Sequence, residues 1–84
     1  MKNEITEQSL KELVKGEEYI RVGKKTTICC LTLKNGFEVI GTSACVHPAN
    51  FDARIGNTLA YENAFNKLWE LEGYFLQKSL TAES

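Results

Sequence analysis

Cysteine and histidine come together once in this 84-residue chain, as Cys45-Val46-His47, with Asn50 and Asp52 close behind. A thiol and an imidazole two positions apart could act as nucleophile and base, because a histidine in hydrogen-bond reach draws the proton from sulfur. The same residues suggest a metal site. With Cys29 and Cys30 they complete the set of cysteine and histidine ligands in the chain, and zinc takes four. Both patterns are weak. No Cys-x-x-Cys is present, and Cys29 and Cys30, adjacent on a β-forming run, leave opposite faces of a strand. A packed thiol at a strand end and a loop histidine need no function. The expectation is no enzyme, no metal and no cofactor.

A better candidate is the loop over 43–56. The first N–H groups of a helix starting there would be unsatisfied and partly positive, with Arg54 in the first turn, so a phosphate or carboxylate could dock. Lys24 and Lys25 would join this corner if their turn lies at the same end of the sheet. The candidate ligand residues are Lys24, Lys25, Asn50, Asp52 and Arg54. The plain alternative is that Asn50 and Asp52 cap the helix while the lysines solvate an edge strand. Phe65, Trp69, Tyr74 and Phe75 form an aromatic set of the kind enriched at interfaces, and core packing accounts for it equally well.

These residues depend on a β-hairpin over Thr27–Val46, with Asn35-Gly36 read as a two-residue type I′ turn. That turn sets Cys30 opposite Gly41. It places Ile28, Cys30, Thr32, Phe37, Val39 and Gly41 on one face, and Cys29, Leu31, Leu33, Ile40, Ala44 and Val46 on the other. Cys45 then lies about 13 Å from Cys30, too far for a disulfide. Both faces carry apolar groups, which calls for two covering layers or another chain.

Before the hairpin, Leu10, Leu13 and Val14 at helical spacing predict a helix over Thr6–Lys15, with Thr6 as N-cap and Gly16 just past its end. Glu18–Val22 reads as an edge strand, and Gly23-Lys24-Lys25 as a turn. After Pro48 a long helix is predicted from about Asp52 to Leu71 or beyond. Its apolar arc runs through Ala60, Ala64, Leu68, Leu71 and Phe75 into Tyr61, Phe65, Trp69 and Leu76. Glu72 and Asn57 fall inside that arc, Asn57 where it could bond a hairpin end. Gly73 would end or kink the helix. Gly41 and Gly56 allow close backbone approach.

The whole chain, 1–84, is expected to be one α+β domain: a three-stranded antiparallel sheet, a short N-terminal helix and a long C-terminal helix. Hydrophobic residues at 43% and charged residues at 25% argue for a globular chain. At this length only about 60–65% of the unfolded surface is buried, so the core is thin and a homo-oligomer is expected. A net charge of −1 supplies no field toward nucleic acid or anionic membrane. No apolar run reaches a membrane span, the polar start does not read as a signal peptide, and three cysteines make no disulfide framework. A cytoplasmic protein is expected.

A resemblance adds an origin. Thr32-Leu33-Lys34-Asn35-Gly36-Phe37-Glu38-Val39, Ser43-Ala44-Cys45-Val46, Asn50-Phe51-Asp52, Ile55-Gly56, Glu62-Asn63-Ala64, Trp69 and Leu71-Glu72-Gly73-Tyr74, in that order, resemble a family of short tailed-phage and prophage proteins. It is named for gene products forty-nine and sixty-six of two phages. An acidic residue is usual where His47 stands. The resemblance implies expression in the bacterial host cytoplasm and carries no established activity. The leading expectation is a non-enzymatic accessory protein that binds a host protein. The alternative is a binder that sequesters a small anionic nucleotide at the start of the long helix.

Overall fold

A computed structural model describes residues 5–45, 47, 49 and 51–81. In chain order it contains α1 (Glu7–Lys11), β1 (Val14–Val22), β2 (Thr26–Leu33), β3 (Glu38–Ala44) and α2 (Ala53–Thr81). The strands form one antiparallel sheet in the order β1-β2-β3, the α+β arrangement expected from the sequence. Val46, Pro48 and Asn50, which that reading also used, lie outside the described residues.

Thr6 caps α1 as expected. Its hydroxyl accepts from the Ser9 N–H, and the Ser9 hydroxyl accepts from the Thr6 N–H, each at 3.1 Å. The helix nevertheless stops at Lys11, four residues short of the expected end. Val14 is claimed by the sheet, where it pairs with Leu33, and Lys34 N–H donates to the Leu13 carbonyl at 2.9 Å. The register shifts between Val14 and Gly16, leaving Lys15 as an extra residue in a bulge. The edge strand therefore starts at Val14 rather than Glu18, and Gly16 belongs to it instead of closing a helix.

The hairpin is tied one residue differently from the expected register. Leu33 N–H donates to the Phe37 carbonyl at 2.8 Å, and Gly36 N–H to the Leu33 carbonyl at 2.9 Å, which leaves a three-residue loop. Only Gly36, at φ 92°, takes the left-handed conformation there; Asn35 does not, so the turn is not type I′. The Asn35 side chain instead accepts from Phe37 N–H at 3.0 Å. Cys29 thus faces Gly41, and Cys30 faces Ile40. This one-residue change moves Val39 and Gly41 onto the face of Cys29, Leu31 and Leu33, and moves Ile40 to the other. Burial now alternates residue by residue along β2 and through most of β3.

That face is the core. Cys29 and Leu31 are fully buried, Leu33 and Val39 nearly so, and Leu10 of α1 closes one side. Ala60, Ala64, Phe65 and Leu68 of α2 cover it. A Cβ on Gly41 would run into the backbone of Ala60 and Ala64, so this glycine is what lets α2 lie close to β3. The opposite face of the sheet has no layer over it among the described residues. Ile20, Val22 and Ile40 are 52%, 47% and 41% exposed there.

Ala53–Thr81 is continuous through Gly73, which neither ends nor kinks it. At 1.5 Å per residue the helix is about 43 Å long, against about 30 Å for the nine-residue β1. It outruns the sheet. The last buried residue is Leu68, and the molecule measures 55 by 21 by 18 Å.

A candidate binding corner

The end of the sheet away from the Asn35 turn gathers the β1–β2 turn, the end of β3 and the start of α2. Gly23, at φ 68°, makes the turn, and the Lys25 carbonyl accepts from Cys45 N–H at 3.0 Å. Ser43 Oγ donates to the Gly56 carbonyl at 2.8 Å, and Asn63 Nδ2 to the Thr42 carbonyl at 2.6 Å, pinning α2 to β3. The hairpin-end contact expected of Asn57 is thus made by Asn63.

These elements enclose a cavity of about 60 Å³, whose walls include Lys25, Thr27, Ser43, Asp52 and Gly56. Thr27 is 3% exposed, and its hydroxyl has no hydrogen-bond partner among the described residues. A hydroxyl left in that condition costs about 1–3 kcal/mol. A Cβ on Gly56 would stand 2.7 Å from the Thr27 Oγ1, so glycine there preserves the space. Ser43 and Gly56 bound the loop expected from sequence to hold the site, whereas Thr27 was not a candidate. Alternation placed Thr27 on a face, but nothing in the chain shows that its hydroxyl is left over.

The candidate residues divide. Lys25 and Asp52 reach the cavity wall. Asp52 caps α2, its carboxylate accepting from Arg54 N–H at 2.9 Å, and its other oxygen stands 3.7 Å from the Arg54 guanidinium. Arg54 itself is turned outward, its side chain 92% exposed, so that ion pair contributes little. Lys24 is exposed, and its carbonyl accepts from Arg21 Nη2 at 2.7 Å. The Arg21 guanidinium also lies 3.9 Å above the Phe51 ring, a cation–π contact that closes the corner's outer wall. Asn50 lies outside the described residues.

All three cysteines are free. Burial pushes the Cys29 thiol above its ordinary value, and burial with Glu38 and Glu18 does the same for Cys30, opposite to what a nucleophile needs. Cys45 Sγ donates to the His47 carbonyl at 3.2 Å, so the contact between these residues is to backbone and not to the imidazole. Among the described residues no three histidine, cysteine or acidic side chains come together to hold a metal.

The aromatic set divides as well. Phe65 is buried and stacks on Tyr61, with ring centroids 5.7 Å apart, so it serves this chain's own core and offers no surface. Trp69, Tyr74 and Phe75 are exposed at 39%, 69% and 63%.

Among known protein families, the model of the phage protein (N4 Gp49/phage Sf6 gene 66) family matches residues 5–80. No curated protein and no solved structure matches the chain.

Proposed function

We propose, from the premise that the chain belongs to the phage protein (N4 Gp49/phage Sf6 gene 66) family, that this phage protein is a non-enzymatic accessory factor which binds a host protein in the bacterial cytoplasm, as a homo-oligomer. The observation that carries this reading is the uncovered sheet face. An antiparallel sheet with one wet face ordinarily turns polar side chains outward. Here Ile20, Val22 and Ile40 stand out instead, with Ile28 and Cys30 half-buried on the same face. An apolar strip rimmed by Glu18, Glu38 and Thr42 has the anatomy of a protein-binding surface. The test is affinity purification from infected host cells with the wild-type chain and with Ile20→Glu/Ile40→Glu, both exposed positions. One host polypeptide in near-equal amount, lost from the variant, is expected. Recovery of the same proteins with both chains, or of none with the wild type, would contradict it.

The Thr27 hydroxyl, without a hydrogen-bond partner among the described residues, supports a second reading, a small anionic ligand of the nucleotide class held at the corner. Lys25 at the cavity wall would supply charge, with the exposed Lys24 and Arg54 able to reach in from outside and Asp52 at the helix start. About 60 Å³ admits a phosphate or carboxylate group but not a nucleotide, whose pockets run to about 300 Å³ or more. A second copy would have to cover the remainder. Native mass spectrometry of protein from infected cells would show a retained species of nucleotide mass, absent in Lys25→Ala/Arg54→Ala. A species retained equally by that variant would rule the corner out.

A further inference from the structure

We infer that residues 69–81 of α2 are a dimerisation arm, which pairs antiparallel with the same segment of a second copy of this chain. The inference rests on the homo-oligomer of the reading above and names the surface that makes it. The arc of α2 that holds Ala60, Ala64 and Leu68 against the sheet continues, at the same helical phase, into Leu71 and Phe75. The sheet does not continue with it. Leu71, Tyr74 and Phe75 are 44%, 69% and 63% exposed, on about three turns of helix that hold no buried residue after Leu68. A helical segment of this length has marginal stability in water without a packing partner.

A second copy fits this stretch in charge as well as in shape. Two such helices crossing antiparallel at Tyr74 and Phe75 set Glu70 of each copy beside Lys78 of the other, on the same flank of the pair. Neither residue has an ion-pair partner among the described residues of its own chain. Glu70 lines a groove of about 370 Å³ where α2 leaves the sheet, together with Phe37, Glu38, Lys67 and Leu71, so that two carboxylates face one lysine there. The end of the second helix, carrying Lys78, would run into that groove and cover Phe37, which is 56% exposed. With about 150–250 Å² per aromatic side chain, Phe37, Leu71, Tyr74 and Phe75 offer on the order of 400–500 Å² per copy. A symmetric pair thus approaches the roughly 1,000 Å² that a specific interface needs.

Sedimentation velocity of the full chain over about a hundredfold dilution tests this. A species of twice the 9.4 kDa chain mass is expected, dissociating on dilution. Phe75→Asp, at an exposed position, should weaken the dimer at least about tenfold. Lys78→Glu should weaken it several-fold, and Glu70→Lys/Lys78→Glu should restore it, a rescue that a merely frayed helix would not show. A wild-type chain that is monomeric throughout would overturn both the arm and the homo-oligomer. An oligomer indifferent to Phe75→Asp would overturn the arm alone, because another surface would then hold the copies together.

Discussion

The two halves of α2 are one uninterrupted helix built on opposite rules. The half on the sheet presents small residues: Ala60 and Ala64 meet Gly41 so closely that backbone packs on backbone, and Leu68 is 1% exposed. The half beyond Leu68 presents Leu71, Tyr74 and Phe75 at the same phase, and all three are exposed. Periodicity alone does not separate core from surface here. What separates them is whether the sheet is still underneath, a fact of element length. An apolar arc that continues past the sheet makes physical sense when both halves are covered, one by this chain's own strands and one by a second copy.

Glycine substitutions at the two ends of this comparison should have opposite signs, and the larger effect is at Gly41. Gly41→Val would force a branched side chain into the backbone of α2. A loss of about 3 kcal/mol or more is expected, a large part of the stability of so small a domain. Gly73 has open space around its Cβ position. Gly73→Ala should stabilise by about 0.5–1 kcal/mol through helix propensity. Urea denaturation followed by circular dichroism measures both, and a comparable loss at Gly73 would mean that the second half is packed as tightly as the first.

Leucine truncation sharpens the boundary. Leu68→Ala should cost about 2–5 kcal/mol, as for other buried leucines. Leu71→Ala, one turn later, should cost under about 1 kcal/mol in dilute protein, where it is exposed. Its cost should grow with protein concentration if the arm is covered by a second copy.

A smaller effect comes with pH. Burial raises Cys29, and burial with the neighbouring Glu17 raises the Tyr19 phenol, above their ordinary values of 9.0 and 10.0. A group raised in the folded state holds its proton more firmly there than in the unfolded chain. Its stabilisation is complete below the unfolded value and is lost as pH rises toward the folded one. The melting temperature should therefore fall as pH rises beyond about 9. Cys29→Val, which removes the thiol with little change of volume, should flatten the first part of that fall.

Much of this arrangement could be read in the chain. The three strands, their antiparallel order, the Thr6 cap and the apolar arc of α2 follow from alternation, turn residues and helical spacing. The hairpin register could not be settled, because Asn35-Gly36 suits two loop lengths. Gly36 alone takes positive φ while Asn35 bonds through its side chain, and one residue of difference exchanges Val39 and Ile40 between faces. The end of α1 was misplaced because Leu10, Leu13 and Val14 fit a helix, while the partner that draws Val14 into the sheet, Leu33, lies 19 positions away. At the corner, Lys25 and Asp52 were legible from charge and capping. Thr27 was not, because an unpartnered hydroxyl depends on what every neighbouring element leaves unpaired.

Whether the second half of α2 is packed only between copies is tested most directly by amide hydrogen exchange along the helix at two protein concentrations. Residues 53–68 should be protected equally at both. Residues 69–81 should exchange rapidly in dilute protein and slow down as concentration rises. Rapid exchange in that segment at both concentrations, or protection that does not depend on concentration, would contradict it.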